Sequence, residues 1–404
     1  MTDPSRVRVS GPLEPFSAGF ASELERRGYT PGSACQQMHL MAHVSHWLAG
    51  EGLDSQALSL AERDRFLAAR RAAGYRKHLS VRAIEPLLVY LRRVGAVPAA
   101  VAQVSEDPVG ELLCRYRVYL MVERGLAPGT AEGYTRAVRP FLEDRFSPQG
   151  LGLECLSAGD VIGFVVARCP RLGRGYAKLT VSALRSLLGF LHLEGMIGRP
   201  LAGTVPSVAS WSLSGLPKRL EAWQVQALLG SCDRGTADGR RDAAILTVLS
   251  RLGLRASELA ALQLKDIDWR AGEIVVRGKG SRLERLPLPA DVGEAIVAYL
   301  RGGRPETAAG GAVFLRSHAP HEALTRAGVS HVVAGAARRA GLGQIFAHRL
   351  RHTAASEMLR AGASLPEVGQ VLRHRQARTT AIYAKVDREA LRGIACRWPE
   401  GGLA

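Results

Sequence analysis

AHRLRHTAASEMLRAGASLPEVGQVLRHRQARTTAIYAKV, residues 347–386, places His348, Arg351 and His352 within about one helical turn, then His374, then Tyr383 nine residues further on. His348 and Arg351 are three apart, so on a helix they project from the same face. The run LPEVGQVL (365–372) has the apolar spacing of a short helix ending at Arg373-His374. After the basic loop RQAR, Thr379-Thr380 predict an N-cap for a last helix carrying Tyr383. His348 and His352 have the i, i+4 spacing of a zinc pair, but no Glu stands between them and no third ligand is spaced for it, so no metal is expected.

The other 364 residues set the context for this stretch. The chain has 404 residues, 47% of them hydrophobic, enough for two or three domains with their own cores. Its formal charge is +17, from 54 basic against 37 acidic residues, which points to a polyanionic partner. Cys35, Cys114, Cys155, Cys169, Cys232 and Cys396 are scattered with no CxxC pair, a pattern of reducing compartments rather than of disulfide frameworks or zinc sites. The start, MTDPSRVRVSGPLEPF, has no apolar segment of the signal-peptide kind, and no run of about 18 apolar residues exists to span a membrane. The expectation is a cytoplasmic protein.

Residues 1–105 read as helices: Phe16 to Leu24, a second to about Leu48, then Leu60 to Ala73 and Leu79 to Val94. Residues 106 to about 200 repeat the plan. Arg27-Gly28-Tyr29-Thr30-Pro31-Gly32 matches Arg124-Gly125-Leu126-Ala127-Pro128-Gly129, Phe66 matches Phe164, and Leu87-Leu88-Val89-Tyr90-Leu91 matches Leu187-Leu188-Gly189-Phe190-Leu191. The offset drifts from 97 to 100, as small loop insertions would cause. Two diverged copies of one helical module are expected, each domain-sized rather than a solenoid repeat. Arg70-Arg71 and Arg92-Arg93 of the first copy, near helix ends, are candidates for phosphate contacts.

LAGTVPSVASWSLSGLP, residues 201–217, lacks periodicity and is rich in Gly, Ser and Pro, which predicts a linker. Beyond it the charge balance shifts. From 216 onward there are 29 Lys+Arg against 18 Asp+Glu, compared with 13 against 9 for residues 1–105 and 12 against 10 for 106–215. Leu220 to Leu229 and Asp242 to Leu252 read as helices, and GLRASEL follows, with Ser257 near the N-cap of a helix ending by Leu264. Ile274 to Val276 and Leu283 to Leu288 have strand composition, with Gly278-Lys279-Gly280-Ser281 as the turn between them. The chain uses 48 arginines and 6 lysines, so a lysine retained at that hairpin tip is suggestive. Lysine can give up its proton when its surroundings lower its pKa, and arginine cannot.

Arg255, Lys279, His348, Arg351, His374 and Tyr383, in that order, form a set that resembles the tyrosine recombinase (phage integrase) family. The matching motifs are GLRASEL, the GKG hairpin, HRLRH and LRHRQARTTAIY, spanning about 218–390. ERGLAPGTAEGYTRAVRPFL, within 110–195, resembles the family's core-binding domain, and residues 1–105 match that domain more weakly. One departure stands out, since the family usually has Gly before the second His and this chain has Arg373.

The resemblance implies a mainly α fold with a small antiparallel sheet: a helical module over 1–105, a core-binding domain over 106–200, a linker over 201–217 and a catalytic domain over 218–404. It implies a site-specific recombinase that cuts and rejoins DNA through a 3′-phosphotyrosyl intermediate, with Tyr383 as nucleophile and no cofactor or metal. Arg255 and Arg351 would bind the non-bridging oxygens, His348 and His374 would add hydrogen bonds, and His348 could help take the tyrosine proton. Lys279 would protonate the leaving 5′-hydroxyl, and Glu258 would hold the arginine helix in place. The expected partners are double-stranded DNA and further copies of the chain, as a tetramer on two sites, with Leu391, Ile394 and Trp398 available for a contact between protomers. A type IB topoisomerase-like resealing activity and a non-catalytic DNA-binding relative remain open at this point.

Overall fold

The computed structural model describes residues 3–98, 107–145, 151–209, 219–278, 282–306, 310–374 and 376–386. The chain divides into two compact units, residues 1–99 with 213–404, and residues 100–212, where the sequence reading expected three blocks and a linker.

The first stretch forms α1 (Ser17–Arg26), α2 (Pro31–Gly50), α3 (Leu60–Ala72) and α4 (Val81–Arg93). Residues 107–209 form α5 (Pro108–Val122), α6 (Pro128–Glu143), α7 (Ala158–Arg168) and α8 (Arg174–Leu193). The repeated turn does the same work in both. Gly28 and Gly125 adopt φ +79° and +59°, the left-handed conformation that closes one helix, and Pro31 and Pro128 open the next. Leu87, Leu88 and Leu91 of α4 are buried, as are Leu187, Leu188 and Leu191 of α8. Phe66 meets Trp47 of α2 edge-on at 5.8 Å, and Phe164 meets Phe141 of α6 edge-on at 5.1 Å. Among the described residues these two stretches keep separate hydrophobic cores.

The arginine pairs of the first module are already engaged. Arg93 pairs with Glu23 at 2.8 Å and Arg92 with Glu85 at 3.5 Å. Arg70 is buried, stacks 4.0 Å from the Tyr75 ring and donates to the Lys77 carbonyl, while Arg71 donates to the carbonyl of Leu79. Leu201 and Val205, expected in a linker, are buried in the core of the second module, with Leu201–Thr204 forming one 3-10 turn. Residues 210–217 of the expected linker lie outside the described residues.

The C-terminal stretch forms α9 (Ala222–Gly230), α10 (Ala237–Leu252), α11 (Ala256–Ala260), α12 (Ala290–Gly302), α13 (Arg326–Arg339), α14 (Ala347–Arg360), α15 (Leu365–Val371) and α16 (Ala377–Thr380). Helix α10 is its axis: Ala243, Ala244, Ile245, Leu246, Val248, Leu249 and Leu252 are all buried, and α12, α13 and α14 pack around it. The expected hairpin is β2 (Glu273–Arg277) and β3 (Leu283–Pro287), antiparallel with Ile274 opposite Leu286. A two-residue strand, β1 (Ile267–Asp268), adds to the free edge of β2. Ile274 and Val276 turn into the core, and their charged neighbours face outward.

Two local expectations differ from what is found. Helix α11 stops at Ala260, four residues short of Leu264, and its cap is Arg255 with Glu258, not Ser257. Tyr383 lies in a 3-10 segment, Ala381–Val386, and Thr379-Thr380 end the helix before it instead of capping one. Threonine was read there as a helix starter, but the Thr380 hydroxyl is occupied by a histidine described below. Among the described residues, no helix is long and apolar enough to cross a membrane.

Helix α10 ends at Gly253 with φ +58°, and a Cβ there would lie 2.8 Å from Leu372 Cδ2 and 3.3 Å from Ala354 Cβ. Gly253→Ala therefore combines left-handed strain with overlap, and should destabilise the protein by about 1–3 kcal/mol. A thermal melt that superimposes on that of the unmodified protein would contradict this packing.

Candidate active site

The site is built where α10 ends, where α14 begins, and where α15 hands over to the Tyr383 segment. Gly253 turns the chain so that Leu254 is buried and Arg255 emerges as the N-cap of α11. Glu258, one turn into α11, accepts from the Arg255 backbone N–H at 2.9 Å through Oε2 and from the Arg255 guanidinium through Oε1. One carboxylate thus caps the helix and aims the arginine. The Arg255 side chain remains 34% exposed.

Arg351 is the opposite case, a guanidinium 1% exposed. It donates to the Gly253 carbonyl at 2.7 Å and to the Leu372 carbonyl, and lies 4.0 Å from Glu258 Oε2. These bonds tie the end of α10 to the end of α15 through α14. Burial and the nearby Arg255 charge pull its pKa down to about 10, so it stays charged at neutral pH.

Tyr383 is 1% exposed, packed with Ala355, Val368 and Leu372. Its hydroxyl lies 2.8 Å from His352 Nδ1, and burial pushes its pKa up to about 12. At neutral pH the phenol keeps its proton. The sequence reading had weighed His352 only as a zinc ligand and had turned to His348 for the tyrosine proton. His348 instead stands at the surface with its ring edge-on to His352 at 4.4 Å. The His348–His352 spacing was the available signal, but the tyrosine comes from 31 residues further along the chain.

His374 is half-buried, its ring parallel to that of Tyr383 at 6.4 Å between centroids. Its Nδ1 lies 2.8 Å from the Thr380 hydroxyl. Burial, together with Arg351, Arg255 and Arg373, lowers its pKa to about 4. Burial, His348 and Arg351 do the same to His352. A neutral His374 that accepts at Nδ1 carries its proton on Nε2 and can donate from there.

Arg255 and His374 open onto a cleft of about 1060 Å³, whose other walls include Arg282, Gln370, Arg373 and Thr380. Lys279 lies outside the described residues, as do the tail residues Leu391, Ile394 and Trp398. The residues that flank the gap, Gly278 and Arg282, both line this cleft, and the Gly278 N–H donates to the Arg282 carbonyl at 2.8 Å. The structure therefore brings together Arg255, Arg351, His374 and Tyr383, with His348 at the edge.

A cationic cleft with a buried tyrosine behind it, carried on this arrangement of helices, is the architecture of an enzyme acting on a phosphate-bearing polymer. Residues 218–390 match the phage integrase family and residues 113–195 match its N-terminal SAM-like domain. A protein of Sinorhizobium fredii (strain NBRC 101917 / NGR234) named as an integrase/recombinase, y4rA, is 41% identical over 96% of this chain and 95% of its own. Tyrosine recombinase XerD of Listeria monocytogenes serotype 4b (strain F2365) is 31% identical over 71% of this chain and 97% of its own. Among solved structures, the XerH site-specific recombinase in a post-cleavage complex with a palindromic difH substrate shares the fold, with a TM-score of 0.58 and 18% identity over 74% of this chain and 99% of that one. The chain belongs to the phage integrase family of tyrosine recombinases. It is a site-specific recombinase, an enzyme of DNA strand cleavage and rejoining.

The histidine pKa values carry a stability prediction. Both His352 and His374 fall from an ordinary 6.5 to about 4 in the folded protein, so below 6.5 the unfolded chain binds more protons than the folded one. The stability they contribute is complete above pH 6.5 and is lost as pH falls toward 4, by roughly 1–3 kcal/mol per histidine. His352→Asn or His374→Asn should flatten the melting temperature between pH 6.5 and 4 relative to the unmodified protein. Parallel profiles would show that these imidazoles are not held neutral.

Proposed function

We propose that Tyr383 is the nucleophile that attacks the scissile phosphate, with Arg255 and Arg351 as the anion-binding pair, His374 and His348 as further donors, and Lys279 as the general acid. The observation that carries this reading is convergence. Segments from residue 253 to residue 383 bring a half-exposed guanidinium and a histidine to the wall of one cleft, with a buried guanidinium and a buried tyrosine beside them, and this supports the reading.

The phenol oxygen forms a bond to phosphorus as the bond to the 5′ oxygen breaks. The phenol proton passes to an imidazole, and Lys279 delivers a proton to the departing 5′-hydroxyl. Negative charge gathers on the non-bridging oxygens and is met by guanidiniums that stay charged throughout. The bond energy remains in the phosphotyrosine ester, so no nucleotide cofactor is needed, and attack by another 5′-hydroxyl completes exchange. The substrate is double-stranded DNA, and the working form is a tetramer on two sites. The excess of basic residues from 216 onward supports a duplex lying against the catalytic stretch.

Tyr383 is buried, with its hydroxyl 2.8 Å from His352 Nδ1. Cleavage needs its bond to His352 to give way when DNA is bound.

A nicked suicide duplex should trap the enzyme as a covalent adduct, with the peptide carrying Tyr383 as the modified one. Tyr383→Phe should form none, and an adduct that persists in it would remove the tyrosine from this role.

Lys279→Arg should bind DNA nearly normally yet cleave on the order of 10²-fold or more slowly, the scale of lost general-acid catalysis. A substrate with sulfur at the bridging 5′ position has a leaving group that needs no acid and should restore much of the rate. No restoration by sulfur would assign Lys279 some other task.

A further inference from the structure

Arg373 is one of two described residues other than glycine with a positive φ, at +57°. A side chain is strained in that conformation, and a glycine would not be. The residue nevertheless carries the longest cationic side chain available, and that side chain does not extend into solvent. Its guanidinium is 1% exposed, donates to Glu258 Oε2 at 2.8 Å, and donates to the Val371 carbonyl at 2.9 Å. Its own backbone carbonyl lies 3.5 Å from Arg255 Nη2. Its neighbour in the chain is His374, and both line the cleft.

The consequence follows from counting charge around Glu258. Without Arg373 the carboxylate would face two guanidiniums, Arg255 and Arg351, and would cancel half of the charge that they offer to a phosphate. With Arg373 present, one anion is shared among three cations. Oε2 is occupied by Arg373 and the Arg255 backbone N–H, while Arg351 stands off at 4.0 Å and spends its bonds on carbonyls. We propose that Arg373 is a positioning residue for strand cleavage, which neutralises Glu258 so that Arg255 and Arg351 present their full charge to the scissile phosphate. This rests on the assignment of those two arginines as the phosphate-binding pair.

The test is single-turnover cleavage of a nicked suicide duplex at saturating enzyme, with DNA affinity measured separately. Arg373→Gly relieves the backbone strain, which offsets part of the cost of removing a buried partner of Glu258, and a thermal melt verifies that the variant is folded under the assay conditions. The variant should cleave 10-fold or more slowly while its Kd stays within about threefold of the unmodified protein, and Arg373→Lys should recover a third or more of the lost rate. In a Glu258→Gln background there is no carboxylate charge to offset, so Arg373→Gly should cost less than about threefold there. Cleavage by Arg373→Gly at the unmodified rate would overturn the proposal, as would an equal cost in both backgrounds. If Glu258→Gln cleaves too slowly for comparison, Arg373→Lys decides: no recovery beyond Arg373→Gly means that shape and not charge matters, and the proposal falls. An adduct formed by Tyr383→Phe would instead sink the underlying site assignment, whatever Arg373 does.

Discussion

The carboxylate of Glu258 is the contact on which the catalytic stretch depends. It is 4% exposed, and burial alone would raise its pKa, but Arg373 and Arg255 outweigh that and hold it below the ordinary carboxylate range. An ion buried to this degree is costly unless its partners are already in place, and removing one partner of such a group typically costs about 3–5 kcal/mol. Because Glu258 also caps α11, the helix start, the exposed arginine and the segment before His374 are fixed by one interaction rather than by three.

Arg351 extends the same constraint in a second direction. Its bonds to the carbonyls of Gly253 and Leu372 join residues 98 and 21 positions away along the chain. The carbonyl at 253 is presented by a left-handed turn, where a methyl group would meet Leu372 itself. Packing and hydrogen bonding at this point are two descriptions of one close approach, which leaves glycine as the residue that fits.

What was legible in the sequence divides along this line. Helix patterns, the hairpin and the paired turns at Gly28 and Gly125 are local, and the residues that make them lie within a few positions of one another. The grouping of Arg255, Arg351, His374 and Tyr383 was legible by order and spacing, with His348 at its edge and Lys279 outside the described residues. Their partners were not, since those are chosen by the fold. For His352 the sequence offers only a metal-pair spacing that it also argues against, and the tyrosine against it comes from 31 residues later. Thr380 looked like a helix cap, yet its hydroxyl serves His374. Leu201 and Val205 sat in a stretch rich in Gly, Ser and Pro, and composition could not reveal that a neighbouring core had room for two more apolar side chains. Arg373 was visible as a departure from the family, but its direction was not, since a positive φ turns the side chain back toward α11.

The remaining tension is electrostatic. Around Glu258 three guanidiniums stand against one carboxylate, and burial together with this surplus keeps His374 neutral. The surplus has not drawn a proton from Tyr383, because the buried phenol loses more by leaving water than it gains from the Arg351 charge. A phosphodiester entering the cleft brings the missing negative charge. Bound as proposed, it would compete with Glu258 for Arg255 and raise the proton affinity of His374. A tyrosine that moved out of its apolar pocket toward those arginines would leave the cause of its raised pKa behind. The basic groups that make this site an unfavourable place for a protonated histidine would then favour a phenolate beside a bound phosphate, with the substrate itself supplying the difference.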